Sequence, residues 1–339
     1  MRHKAGKPPS MGPTTIDYAF FPHLIDLMVD HCDAFGLLKL RSVSRKMRER
    51  VDPVLFKHVV CQPSTRNKKE EAMCVIRAAA TSAEPALVLD AKLHKPLVSK
   101  HTKVLDVLSG ADMRCTLLEE TSIDFLRLGS VLETPLSPSR VLVLFHPCEK
   151  YPFDHDRHSG TAPLCSKIVF NGLDAQDNAY NVSYYYGNHQ ADLVFVSSHW
   201  SPPPTWDRRS PAWPPRYNPK PAGHCIAATI IDILDDSSYR DDTPGPVVAC
   251  SLTLVDFEHI NPIWLGFQPG ATNQDQLLEE VTEYWRGYCR YDDASMLASN
   301  LTKFRSQILP NIKFMTGEEY AATLSPEAFR LETEHPLAP

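Results

Sequence analysis

The sequence Val141-Leu142-Val143-Leu144-Phe145 is an unbroken run of β-branched and large apolar side chains. A strand with one solvated face would alternate apolar and polar residues, so this run predicts a strand covered on both faces, as in a parallel sheet. Similar runs occur at residues 58–61, 86–89, 104–107, 167–170, 193–196, 229–233 and 252–255. Successive runs begin roughly 18 to 37 residues apart, the length that a parallel crossover needs. The pattern therefore predicts a mainly parallel α/β domain.

Two architectures fit these spacings. One is an irregular solenoid of the leucine-rich-repeat type, with repeats of about 20 to 29 residues. The other is a single twisted sheet with helices on its faces. The repeat consensus L-x-x-L-x-L-x-x-N is not met cleanly anywhere. We therefore predict an α/β domain over residues 61–339, which can take the form of a degenerate leucine-rich-repeat-like solenoid. Eight prolines in residues 202–221 predict a long surface loop within it.

The residues before the first strand have a helical period instead. In the first helical stretch Leu24, Leu27 and Met28 share one face, and a second apolar face follows it. Asp33 is placed to cap a second stretch, and one side of that stretch is apolar: Leu37, Leu40, Val43, Met47 and Val51. We predict a small helical module over residues 18–60. Residues 1–17 lack any periodicity and predict a disordered leader.

The bulk composition excludes several classes of protein. A formal net charge of -6 argues against general nucleic-acid binding, which usually shows a basic patch. No apolar run is long enough for a transmembrane helix, and the cationic N-terminal residues lack the apolar core of a secretory signal. The nine cysteines contain no C-x-x-C pair, which indicates reduced thiols inside a cell. We expect the protein in the cytoplasm, the nucleus or both.

A search for catalytic motifs is negative. The chain has no phosphate-binding loop, dinucleotide fingerprint, nucleophile elbow or H-E-x-x-H motif. The densest group of metal-binding side chain types, within residues 146–165, matches no structural zinc spacing. We therefore predict no metal, no cofactor and no enzymatic activity. An α/β enzyme with a site at its strand ends, around His146, His155 or Asp232, is the weakest alternative.

The helical module resembles the F-box. The resemblance rests on the order Phe21-Pro22, an amphipathic helix, the acidic turn at Asp33, a Leu-Leu-x-Leu-x-x-Val stretch over residues 37–43 with basic residues, and a closing apolar segment. The whole chain is also similar to the divergent F-box-like proteins of basidiomycete yeasts.

This resemblance implies a function in a ubiquitin ligase. The module would bind a Skp-type adaptor, and through it a cullin scaffold, while the α/β domain would hold an unidentified target protein. The residues expected at the adaptor interface are Pro22, Leu24, Ile25, Met28, Leu37, Leu38, Leu40 and Val43. The other binding hypothesis is an α/β protein-binding module whose N-terminal helices simply pack on it, without a ligase.

Overall fold

The protein is described by a computed structural model. The described residues are 21–62, 73–76, 87–89, 91–108, 123–128, 139–145, 165–171, 192–197, 223–224, 226–227, 230–231, 251–288, 298, 301–302 and 304–334. The predicted leader 1–17 and the predicted proline-rich loop 202–221 both lie outside these residues.

Three helices precede the sheet, and local sequence signals define their ends. They are α1 (Pro22–His31), α2 (Ala34–Val43) and α3 (Arg45–Leu55). The backbone N–H of Gly36 donates to Asp33 Oδ1 over 2.7 Å, and that of Met47 donates to Ser44 Oγ over 3.1 Å. Both side chains therefore satisfy amide groups that the first turn of a helix leaves without partners. Pro22 starts α1 at a position where no amide hydrogen is needed.

Within the described residues, one mainly parallel sheet of ten strands forms the rest of the core. The strands are β1 (His58–Gln62), β2 (Met73–Ile76), β3 (Leu87–Val88), β4 (Val104–Val107), β5 (Ile123–Leu128), β6 (Ser139–Phe145), β7 (Lys167–Asn171), β8 (Asp192–Val196), β9 (Leu252–Val255) and β10 (Ile312–Met315). Their order across the sheet is β10-β9-β8-β7-β6-β5-β4-β1-β2-β3. All neighbouring pairs from β1 through β4 to β10 are parallel, whereas β2 and β3 extend the β1 edge in antiparallel pairing.

The remaining helices lie between or after these strands. They are α4 (Ala91–His101), α5 (Pro262–Leu265), α6 (Asn273–Tyr288), α7 (Gly317–Ala322) and α8 (Pro326–Thr333). Described residues between 223 and 231 are also helical, and a π-helical segment spans Phe304–Ile308. Short 3-10 turns occupy Phe257–His259 and Leu309–Asn311.

The strand register aligns side chains in rows along the sheet. One row defines what we call the helix-covered face: Val59, Leu105, Leu126, Leu142, Ile168, Leu193, Leu252 and Ile312. The adjacent row, which points the opposite way because side chains alternate along a strand, defines the tail face: Val60, Asp106, Arg127, Val143, Val169, Val194, Thr253 and Lys313.

The connecting helices lie on the first of these faces. The buried cluster that contains the helix-covered row also includes Val98 of α4, the helical residue Ile231, and Leu277 of α6. Connections between parallel strands are nearly always right-handed, and a strand order that advances in one direction then favours one side of the sheet for them. The opposite face is covered by the C-terminal helices, because Tyr320 of α7 and Phe329 of α8 pack on Val169 and its neighbours.

The helices of the N-terminal module end at Leu55, and the predicted module boundary after residue 60 lies within β1, since His58–Gln62 pairs in the sheet. One prediction about this fold is wrong. Within the run predicted as a strand at residues 229–233, the described residues Ile230 and Ile231 are helical and buried instead. The periodicity of a short apolar run cannot distinguish a buried helix from a buried strand. The mainly parallel α/β class is confirmed.

Candidate functional site

The eight residues predicted at the adaptor interface fall into three groups. Pro22, Leu24, Met28 and Val43 are exposed. Leu38 and Leu40 are half-buried and pack against the main core. Ile25 and Leu37 are buried, at 5% exposure each. These last two side chains therefore pack inside the chain in this conformation, and a contact of either with an adaptor stays a prediction.

Further exposed apolar side chains accompany the four at the surface. On α1, Leu24, Leu27 and Met28 are 42%, 51% and 41% exposed, and their spacing of three and four residues places them on one helix face. We call the following residues the exposed apolar set: Phe21, Leu24, Leu27, Met28, Phe35 and Val43. Single exposed leucines are normal on a protein surface, but several on one helix face indicate a binding surface.

The opposite sides of the same helices are fixed to the domain. Val29, Val51 and Leu55 belong to the buried cluster that continues into the sheet. Arg41 of α2 contacts the buried Asp52 of α3 with its Nε 2.5 Å from Oδ1, and its guanidinium lies 5.9 Å from the centre of the Phe56 ring. The module is therefore anchored from inside while its apolar set faces outward.

The same helical module also carries exposed cations. Lys39, Arg45, Lys46 and Arg48 are all exposed on α2 and α3. The Arg45–Glu49 ion pair is itself solvent-exposed and contributes little to stability. Exposed charges at the rim of an apolar surface mainly accelerate encounter with a partner of opposite charge.

A cluster of charged and polar side chains lies on the tail face, and the sequence analysis did not predict it. Asp106 of β4 is fully buried, and Arg127 Nη1 of β5 lies 3.1 Å from its Oδ1. His58 Nε2 of β1 lies 2.9 Å from Asp106 Oδ2. The carboxylate thus joins three neighbouring parallel strands, which is enough to satisfy a charge that burial would otherwise strongly disfavour.

The C-terminal helix α8 completes this network. Glu332 is buried, and its carboxylate accepts hydrogen bonds from Lys167 Nζ over 2.7 and 2.9 Å and from the Tyr320 hydroxyl. The carbonyl oxygen of Glu332 accepts from Asn171 Nδ2 over 2.6 Å, and Arg127 donates to the carbonyl of Glu334. Burial and the charge of Glu332 raise the pKa of Tyr320 above its usual range, so the hydroxyl stays protonated and donates.

The outer end of α8 is held by a weaker contact. Glu327 Oε1 lies 2.7 Å from Lys57 Nζ, and both side chains are about half exposed. The hydrogen bond from Lys57 lowers the pKa of Glu327 below its ordinary value.

We expect a small pH-dependent contribution from this surface pair. Because the pKa of Glu327 is lower in the folded state, its stabilisation is present above the unfolded pKa and is lost as the pH falls through the folded value. Solvent screening limits the contribution to less than about 1 kcal/mol. The difference in unfolding free energy between wild type and Glu327→Gln, measured from pH 7 to pH 3, should shrink towards zero at the acidic end. A difference that grows on acidification would contradict the assignment.

The described residues contain no group of three or more histidine, cysteine or acidic side chains able to hold a metal ion. Burial raises the pKa of Cys165 to about 11, so this cysteine is a thiol at neutral pH and a poor nucleophile. The other residues considered for chemistry, His146, His155 and Asp232, lie outside the part of the chain that the structure describes. No helix among the described residues has the length and apolarity to cross a bilayer.

Comparison with models of known protein families, with curated proteins and with solved structures finds no match for this chain. The side chains of the exposed apolar set lie in solvent, where a partner could bind them. The ionic network of the tail face is instead covered by the chain's own C-terminal helix.

Proposed function

We propose that this chain is a substrate-recognition adaptor of a Skp–cullin–F-box type ubiquitin ligase. In this proposal α1 to α3 form the F-box, the exposed apolar set binds the Skp-type adaptor, and the α/β domain holds a target protein in the cytoplasm or nucleus. The observation that carries the proposal is that Leu24, Leu27 and Met28 remain in solvent while the other side of their helix is packed in the core.

The strand order supports a solenoid-like form of the domain. Neighbouring parallel strands follow one another in chain order, as repeats do in a leucine-rich-repeat protein. We propose that the sheet is a degenerate coil of this kind and that the helical module occupies its first end. The outer surface of a terminal cap is normally polar, because it faces solvent. An apolar cap surface therefore favours a partner over a purely capping function.

The charges of the module indicate what kind of surface the partner presents. A module that exposes apolar side chains together with Lys39, Arg45 and Arg48 is complementary to a partner whose apolar surface carries acidic groups nearby. Each exposed leucine or methionine that becomes covered contributes roughly 1 kcal/mol. The exposed apolar set then contributes most of the binding free energy. The cations raise the association rate constant and make it depend on salt.

The alternative is an α/β binding module without a ligase. The packing of Val29, Val51 and Leu55 into the main core favours it, since the helices also serve the domain's own stability. The two hypotheses differ in whether the outer side of α1 is needed for binding an adaptor.

Capture of a Skp-type adaptor tests the proposal. We expect the double variant Leu24→Asp, Met28→Asp to lose capture by about 30-fold or more, because two apolar anchors become charged. Leu38→Asp and Leu40→Asp are poorer choices, since both residues are half-buried and their replacement also disturbs folding. The readout is the dissociation constant for the purified adaptor, measured with full-length protein.

Ile263→Asp provides the matched control. Ile263 is an exposed apolar residue on α5, far along the chain from the module. This variant should bind the adaptor as wild type does. Wild-type protein that does not bind the adaptor, or a double variant that binds equally well, would refute the ligase proposal and leave the α/β binding module as the explanation.

A further inference from the structure

The tail face carries hydrogen-bond donors that match the C-terminal end of a helix. The last carbonyl groups of any helix have no partners within it. At the end of α8, Asn171 Nδ2 donates to the carbonyl of Glu332 over 2.6 Å. Arg127 donates to the carbonyl of Glu334, the C-cap residue, and Lys167 Nζ lies 2.7 Å from the Glu332 carboxylate. These donors therefore bind the negative end of a helix together with one carboxylate.

The same face is apolar beside these donors. Val143, Val169 and Val194 are buried at matching positions of β6, β7 and β8. Tyr320 of α7 belongs to the same buried cluster, and Phe329 of α8 packs against it. An apolar floor with a few fixed polar groups is the usual composition of a binding site. We call the following six residues the tail site: Arg127, Lys167, Asn171, Val143, Val169 and Val194.

The contacts of α8 with the tail site give selectivity more than stability. A buried ion pair contributes little net stability compared with apolar residues of similar size, but an occupant without the carboxylate leaves Lys167 without its counter-ion. Asn171 is 4% exposed, and its Oδ1 accepts no hydrogen bond from the described residues. A buried acceptor without a partner is costly. A different occupant with a donor at this point would therefore fit the tail site better than α8 does.

Building on the protein binding assigned above to the α/β domain, we propose that the tail site binds an acidic helical segment of another protein. In the free chain α8 occupies this site as a built-in competitor. The segment places an acidic side chain on Lys167 and a large apolar side chain on the valines. In α8 these two groups are Glu332 and Phe329, three residues apart and so on one helix face.

Release of α8 would leave the sheet intact. Helix α8 follows α7 and the strand β10, which lies at one end of the strand order, so its departure breaks no strand pairing. The contacts of Asp106 with Arg127 and His58 lie within the sheet and remain when α8 leaves. The tail site therefore keeps its donors in place for a second occupant.

A labelled peptide of residues 316–334, added to the full-length protein, tests this competition. Wild type should bind the peptide weakly, because its own α8 fills the site. Glu332→Gln in the protein weakens the competitor and leaves the tail site unchanged, so the apparent affinity should rise by about 10-fold or more. A peptide that itself carries Glu332→Gln should bind this variant about 10-fold more weakly than the unmodified peptide, since Lys167 then gains no carboxylate. Fluorescence anisotropy measures both affinities.

Glu327→Gln is the matched control in the protein. It removes a carboxylate of α8 that pairs with Lys57 at the surface and touches no residue of the tail site. This variant should bind the peptide as weakly as wild type does. Equal binding of the two peptides to Glu332→Gln protein, or equal binding of the unmodified peptide to Glu332→Gln and wild type, would overturn the proposal.

Hydrogen exchange of the wild type gives a second measurement, which decides the matter even if Glu332→Gln protein does not fold. Amides of α8 should exchange through local opening, faster than those of β6 and β7. Amides of α8 that exchange only together with β6 and β7 would overturn the proposal, because α8 would then be a permanent part of the core. Neither experiment contains an adaptor, so this proposal can fail while adaptor capture succeeds, and the reverse.

Discussion

Replacing Asp106 with leucine should lower the free energy of unfolding by about 3 to 5 kcal/mol, the loss expected when one member of a buried ion pair is removed. Asp106 is fully buried, and the Arg127 guanidinium beside it is 5% exposed. Without the carboxylate, the nearly buried Arg127 guanidinium retains its charge beside an apolar side chain. His58 also loses the acceptor for its Nε2. Chemical denaturation of wild type and variant measures the loss directly.

The double variant Asp106→Leu, Arg127→Met separates the charge from the packing. Replacing both members of a buried pair by apolar residues of similar size is often neutral. We therefore expect the double variant to recover most of the stability that Asp106→Leu loses. A double variant that is less stable than Asp106→Leu would mean that the contacts of Arg127 with the Glu334 carbonyl and the Phe145 ring matter more than the ion pair.

The fold class could be predicted from the sequence because parallel strands buried on both faces read as continuous apolar runs. The runs at 141–145, 167–170 and 193–196 all became neighbouring strands. The run at 229–233 failed for the same reason, since its apolar character fits a buried helix equally well. β2 and β5 were missed: Ile123–Leu128 carries Asp124 and Arg127, and these charges broke the pattern used to find strands.

The candidate site was predictable only in part. Helical periodicity identified Leu24, Met28 and Val43, but it could not tell which side of α1 the domain would cover. Ile25 is buried although its neighbour Leu24 is exposed. Which of the two is buried depends on how α1 packs on the rest of the chain, and the local sequence does not encode that packing. The ionic network was missed because residues that contact each other in it are separated by up to 207 positions in the chain. The sequence did contain one indication of the network: Asp106 and Arg127 each place a charge inside an apolar strand, and the two residues are directly opposite in the sheet.

Replacing Glu332 with glutamine should destabilise the protein by about 3 kcal/mol, the loss expected when a buried ion pair loses one charge. The carboxylate of Glu332 is the shared acceptor of Lys167 and Tyr320, and its own side chain is only 2% exposed. Glutamine keeps the size of the side chain but removes the charge that balances Lys167. The ammonium group would then remain largely buried, at 20% exposure, without a counter-ion.

Glu327→Gln on the same helix is the control for this prediction. It removes an ion pair of the same residue types, Glu327 with Lys57, but both partners are about half exposed, so its cost should stay below about 1 kcal/mol. Unfolding by denaturant, followed by far-UV circular dichroism, compares the two variants. The large difference follows only if α8 is seated on the tail face as described, with Glu332 inside and Glu327 outside. Equal effects of the two substitutions would therefore show that α8 does not close this face of the sheet in solution.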